Sequence, residues 1–218
     1  ETMPAMAAKA AREALGNGPP PDLLINASLT PVQLIPDSSV FILDELGYQD
    51  IPGFSIHATC LSFLVAMNNA ASLIHSGAYK RILIVSSEIG SVSRDFDQPT
   101  SAVLIGDGAA AAVVEAAPEG SDSGWLGFSM QTWPEGAPYT EIRGGGTRRH
   151  PNSPEADRMD NLFQMDGPKV FRMALQKIPK MFTSFIESHE IDIDDIDLFI
   201  PHQASGHGLK SYERLGFP

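Results

Sequence analysis

The sequence predicts a layered α/β protein made of two related halves. Three observations carry that expectation. Short apolar runs alternate with amphipathic stretches along the chain, the pattern of strands separated by helices. Between Phe54 and Gly77 a short apolar strand leads through the only cysteine, Cys60, into a helix with no Asp, Glu, Lys or Arg from Leu61 to Ile74. The early run Asp22-Leu23-Leu24-Ile25-Asn26-Ala27-Ser28 is echoed late, at Asp197-Leu198-Phe199-Ile200-Pro201-His202-Gln203-Ala204-Ser205. Each follows a helix and a loop, and each closes on a polar segment containing Ala-Ser, which suggests an internal duplication.

Each element has a local reason. Met3 to Leu15 is an alanine-rich helix, ended by Gly16-Asn17-Gly18 and three prolines. Leu23 to Ala27 reads as a strand and Leu29 to Pro36 as a loop. Asp37 caps a helix to about Leu46, which Gly47 closes. Gly53 to Ile56 is the strand before Cys60. The helix behind it is apolar all round, which predicts burial on every side. Ile82 to Ser86 is a strand and Glu88 to Thr100 a polar loop. Ser101 to Ile105 and Ala109 to Glu115 read as two strands hinged on Gly106-Asp107-Gly108. Pro118 to Gly124 breaks the composition, so the halves are expected at 1–118 and 119–218. Trp125 to Thr132 and Ile196 to Ile200 read as strands, and Pro134 to Asp160 as the least ordered stretch. Its Gly144-Gly145-Gly146 lacks the strand-to-helix context of a phosphate cradle and reads as loop. Pro168 opens an amphipathic helix to about His189 that Pro179 should kink. Ser205 opens a last helix, ended by Gly216 and Pro218.

Composition narrows the function. The chain has 218 residues, 43% hydrophobic and 19% charged, an ordinary globular balance. One cysteine allows no disulfide within the chain and fits a reducing compartment. No run reaches the roughly 18 apolar residues of a membrane span, and no signal-peptide pattern opens the sequence. A cytoplasmic protein with no membrane partner is expected. The formal charge of −12 disfavours nucleic acid, and an acidic partner would need a local basic patch.

Cys60 lies where a strand gives way to a helix. Unpaired N–H groups and the positive dipole end of a helix favour a thiolate there, and could also hold an oxyanion. A structural cysteine is the alternative, and the stretch alone leaves both open. His202 follows the expected Ile196–Ile200 strand, and in layered α/β folds ligand chemistry gathers beyond the carboxyl ends of strands. It is an acid/base candidate, or else a histidine satisfying backbone groups. His57 reads as structural, His75 and His189 as helix C-terminal residues, and His150 and His207 as loop and surface. The six histidines show no metal-ligand spacing, so no metal site is expected.

Five motifs then align in order. H-A-T-C-L-S-F (57–63), H-S-G-A-Y-K-R-I-L-I-V-S-S-E (75–88), I-G-D-G-A-A-A-A-V-V-E (105–115), M-D-G-P-K-V-F (165–171) and D-D-I-D-L-F-I-P-H-Q-A-S (194–205) resemble the β-ketoacyl-ACP synthase III group of thiolase-fold condensing enzymes. The likeness runs nearly the whole chain. It implies two duplicated halves in αβαβα layers, incomplete in this sequence, since the family's opening elements and its catalytic asparagine lie outside it.

The resemblance also implies a decarboxylative Claisen condensation. Cys60 would take an acyl group as a thioester, and His202, with that asparagine, would polarise the thioester of malonyl-ACP. The implied partners are acyl-CoA, acyl carrier protein and a second copy of the chain. No cofactor is implied beyond the CoA or phosphopantetheine thioester that is the substrate. Ile35, before Pro36, stands where the family often has a bulky aromatic that crosses the dimer to the acyl pocket, so room for a longer or branched primer is expected. Arg172 matches a basic family position, and Lys169, Lys210 and Arg214 are candidates to join it as a doorway for the acidic carrier. His207 stands where the family has a second basic residue, and Ser205 replaces a common Asn. The alternatives are non-decarboxylating condensation of two acyl-CoAs or transfer to another acceptor, a Cys-His acyl hydrolase, and a non-catalytic thiolase-fold partner subunit.

Overall fold

The computed structural model describes residues 1–213. Arg214 and the expected stop at Gly216 and Pro218 lie outside the described residues. The chain divides into two compact units, Glu1–Ser91 with Gly106–Trp125 and Val92–Ile105 with Leu126–Pro218.

The first unit is built on a four-stranded sheet in the order β2–β1–β3–β4. β1 (Leu23–Asn26), β2 (Gly53–Ser55) and β3 (Arg81–Ile89) run parallel, and β4 (Asp107–Glu115) runs antiparallel to β3. Alternation along β1 and β3 sorts the core onto two faces. Leu24, Leu83 and Val85 meet α1 (Met3–Leu15) and α2 (Ser38–Leu46). Leu23, Ile25, Ile82 and Ile84 meet α3 (Ser62–His75) through Ala66 and Ala70. Burying one such aliphatic side chain is worth about 1.5–3 kcal/mol, so this sheet is where most of the unit's stability arises.

Local chemistry starts and stops these elements. The Thr2 hydroxyl accepts from Ala5 N–H at the head of α1, and Met3, Ala7, Ala11 and Leu15 form its buried stripe. Asp37 accepts the Ser39 N–H at 2.9 Å to cap α2, and Gly47 ends it in the left-handed region at φ 77°. The Asp22 carboxylate receives the N–H groups of Lys80 and Arg81, each at 3.0 Å, and fixes where β1 and β3 begin side by side.

Several sequence expectations need correction. α3 is not buried all round: Ser62, Ala66 and Ala70 are buried, while Leu61 and Leu64 are 43% and 51% exposed. Small alanines bring one face close to the sheet, and within this unit the opposite face has no comparable layer. Ser101 to Ile105 is not a strand. Pro99 presets a helical turn, α4 (Pro99–Ala102), in which Ser101 and Ala102 N–H both donate to Gln98 O at 3.1 Å. Gly106-Asp107-Gly108 is consequently not a hairpin turn, since Asp107 and Gly108 already pair with Ile89 and Glu88 of β3.

The second unit carries a two-stranded antiparallel pair, β5 (Thr140–Glu141) with β6 (Gln164–Met165), then α5 (Gly167–Ser188) and α6 (Gly206–Tyr212). Neither Trp125–Thr132 nor Ile196–Ile200 forms a strand. An apolar run becomes a strand only beside another that completes its ladder. Here Leu198 and Ile200 stand 73% and 77% exposed. Phe199 between them packs edge-on against Phe182 of α5 at 5.6 Å and Tyr212 of α6 at 5.3 Å. The stretch expected to be least ordered is tied together by Asp160, which is 4% exposed. Its carboxylate meets Arg143 at 3.1 Å and accepts the Asp157 N–H at 3.1 Å, while its carbonyl accepts the Gly144 N–H at 2.6 Å. α5 runs as one element through Pro179.

Candidate active site

The carboxyl ends of β1, β2 and β3 gather the polar side chains of the first unit. Asn26, 2% exposed, donates through Nδ2 to Ser55 Oγ at 2.8 Å and accepts from the Ser28 hydroxyl at 2.6 Å. Ser28 Oγ in turn accepts the Ser87 N–H at 3.0 Å, and the Ser87 hydroxyl donates to the Met3 carbonyl at 2.9 Å. The network leaves these buried groups satisfied and locks the three strand ends to one another and to α1.

Cys60 stands exposed at this end of the sheet, two residues before α3 begins. The approach to it is strained. Thr59 holds φ at 50°, a left-handed conformation that costs a β-branched residue of order 1–3 kcal/mol. Ser62 holds that turn in place: its hydroxyl donates to the Thr59 carbonyl at 2.7 Å and accepts the Ala58 N–H at 2.9 Å. The first turn also uses two N–H groups that the sequence left free for an oxyanion. Leu61 N–H donates to Ala58 O and Ser62 N–H to Thr59 O, both at 3.1 Å. The sharp turn therefore presents the sulfur, while those two amides are occupied in making it.

Two carboxylates flank the same end. Burial pushes the Asp37 carboxyl up, but hydrogen bonds from Ser39 and Ser55 outweigh it and hold it below the usual carboxylate range. Glu88, at the end of β3, goes the other way. Burial raises its carboxyl above the ordinary value, and the N–H groups of Leu29 and Thr30, the Thr30 hydroxyl and nearby His57 only partly offset this. The sequence reading passed over Glu88 as the start of a polar loop. The rule that sends attention to strand carboxyl ends, applied to Ser86-Ser87-Glu88 as it was to His202, would have found it.

The other sequence-named residues fall as follows. Ile35 lies in the first unit on the loop before α2, 84% exposed. His202, Arg172 and His207 belong to the second unit and are exposed, Arg172 on α5 and His207 in the first turn of α6. Phe199 fixes the segment that carries His202 between α5 and α6. Ser205 caps α6, accepting the Gly208 N–H at 3.0 Å, a task that Ser and Asn share. Lys169 is not a free member of a basic doorway, since it pairs with Asp166 at 2.7 Å and lies over the Tyr139 ring. Among the described residues no group of three or more His, Cys, Asp or Glu is placed to hold a metal ion, and no helix is long and apolar enough to cross a membrane.

Comparison with known proteins places this arrangement. The family described as 3-oxoacyl-[acyl-carrier-protein] synthase III matches residues 54–134, the stretch that holds Cys60 and β4. A curated relative from Fusobacterium nucleatum, a β-ketoacyl-[acyl-carrier-protein] synthase III, is 31% identical over 198 residues, 90% of this chain and 60% of its own length. The crystal structure of the corresponding synthase III from Thermus thermophilus superposes with a TM-score of 0.84 at 30% identity, over 100% of this chain and 67% of that one. The chain belongs to the β-ketoacyl-ACP synthase III family. Its fold is thiolase-like, as the resemblance implied. A priming β-ketosynthase from the R1128 polyketide pathway is another structural relative, at 28% identity and a TM-score of 0.83, covering 100% of this chain and 65% of that one. This synthase III-family chain spans about 60% of the length of the curated relatives it matches.

Proposed function

We propose that the protein is an acyltransferase that forms a carbon–carbon bond by decarboxylative Claisen condensation, with Cys60 as acyl carrier. The observation that carries the reading is the exposed sulfur of Cys60 on a strained turn at the carboxyl ends of parallel strands, in a chain of this family. Cys60 Sγ attacks the acyl carbon of an acyl-CoA. The bond from that carbon to the CoA sulfur breaks, and the CoA thiol leaves with the proton of the Cys60 thiol. Malonyl-ACP then loses carbon dioxide, and the electron pair of the broken bond makes an enolate whose oxygen receives a hydrogen bond from His202. The enolate carbon attacks the acyl-cysteine carbonyl, the new carbon–carbon bond forms, and the Cys60 sulfur leaves.

Charge and exposure support the partners. Of the doorway candidates among the described residues, Arg172 and Lys210 are exposed cations that could greet an acidic carrier protein, and His207 lies three residues before Lys210. Ile35, with its neighbour Leu34 74% exposed, is the apolar projection that suits a second copy of the chain and the acyl pocket it completes. A side chain smaller than an aromatic there fits a longer or branched primer. A cytoplasmic site of action follows from CoA and carrier-protein substrates.

The test is release of carbon dioxide from labelled malonyl-ACP in the presence of a panel of acyl-CoAs. Release that needs His202, with product formation that needs Cys60, supports the reading. Turnover without carbon dioxide would move it to condensation of two acyl thioesters.

A further inference from the structure

The loop Leu29–Pro36 has more anchors than a surface loop needs. At its start Ser28 is built into the buried network with Asn26 and Ser87. Next, Leu29 N–H and Thr30 N–H both donate to the Glu88 carboxylate, one to each oxygen, the second at 3.2 Å. Then Val32 N–H donates to Ser38 Oγ at 2.9 Å, and the Gln33 side-chain amide donates to the Ile35 carbonyl. Between these anchors the side chains of Leu34 and Ile35 project 74% and 84% exposed. A loop held through the backbone of Leu29, Thr30, Val32 and Ile35 yet baring its apolar tips is built to present them.

We propose that Glu88 is a positioning residue, whose carboxylate at the end of β3 receives both N–H groups at the root of the Leu29–Pro36 loop and thereby sets where Ile35 stands. Two features make it the anchor that matters. Glu88 comes from β3, on the sheet that also ends beneath Cys60, so it couples the loop to the frame of the site. It also takes two consecutive backbone donors at the root of this loop, and removing it takes the acceptor from both part-buried N–H groups. The effect on primer choice rests on the reading of Ile35 in the proposed function, whereas the effect on the loop does not.

The experiment follows amide hydrogen exchange in the intact protein together with the ratio of kcat/KM for a branched or longer acyl-CoA to that for acetyl-CoA. Glu88→Ala is expected to speed exchange at Leu29 and Thr30 by about tenfold or more, with amides of β1 and β3 unchanged. Glu88→Gln, which keeps the shape and one carbonyl acceptor, should give a smaller effect and guards against a misfolded alanine variant. Both variants should shift the primer ratio in the same order, a change that lost stability alone would not produce. Unchanged exchange at Leu29 and Thr30 in both variants overturns the proposal. Faster exchange with a primer ratio left unmoved, where Ile35→Phe does move it, overturns the positioning role. Ile35→Phe in parallel separates the two failures: a ratio that Ile35→Phe shifts and Glu88→Gln does not indicts Glu88, and one that neither shifts indicts the reading of Ile35.

Discussion

The two units are held together by different physics. In the first, Leu23, Leu24, Ile25, Ile82, Leu83, Ile84 and Val85 are all fully buried between helices. In the second, the buried hydrophobic side chains among the described residues are Ala102 and Leu162, and order comes from Asp160, helix caps and a short aromatic stack through Phe199. Apolar burial is non-directional and tolerates small errors, whereas a buried carboxylate works only with its own donors in place. The contrast teaches where each unit is vulnerable.

The largest difference should appear on truncating one aliphatic side chain in each. Ile84→Ala, in the middle of β3, is expected to cost about 2–5 kcal/mol of unfolding free energy. Leu198→Ala, at 73% exposure, should stay within about 0.5 kcal/mol. Denaturant titration of both variants measures the gap, and equal losses would erase the contrast.

A smaller effect is expected from Asp160→Asn. It removes the charge that faces Arg143 and should cost about 1–3 kcal/mol. Trypsin should then cut faster at Arg148 and Arg149, in the segment Asp160 secures. Cleavage at the unaltered rate would mean that the segment is held by something else.

These expectations also mark what was legible in the sequence. The apolar runs at Leu23–Ile25 and Ile82–Val85, the Asp37 and Ser205 caps and the Gly16 and Gly47 stops were readable, because each depends on neighbours within a few residues. The Ile196–Ile200 strand was not, because a strand is a property of a pair and an apolar run does not name its partner. Pro99 gave a local signal for a helical turn that hydrophobicity in Ser101–Ile105 overrode. At the site, Cys60 and its place at a strand-to-helix turn were visible. The strain at Thr59, the grip of Ser62 and the clamp of Glu88 depend on backbone angles and contacts up to 59 positions apart, which no spacing encodes.

Helix capping gives a finer test. Ser205→Ala should cost about 1 kcal/mol through loss of the α6 cap, and Ser205→Asn should be close to neutral, since both side chains accept the Gly208 N–H. Helical content and the unfolding midpoint report it, and an equal loss in both variants would show that Ser205 acts other than as a cap.

The smallest effect is a pH dependence confined to the first unit. Glu88 has its folded-state value raised above the ordinary 4.5 by burial. The folded state therefore holds this proton more firmly, and the contribution to stability is fullest below 4.5 and is lost as pH rises through the raised value. The electrostatic interaction with His57 works against the shift. Glu88→Gln should flatten that part of the stability–pH curve, and an unchanged slope would show that another group titrates there.

Central to the whole account is Cys60 as the atom that carries the acyl group. Incubating the protein with a series of acyl-CoAs and mapping the added mass by peptide mass spectrometry tests it most directly. An acyl increment on the peptide that contains Cys60, absent in Cys60→Ala, is the result expected. No increment with any acyl-CoA, or one that persists in Cys60→Ala, would contradict it.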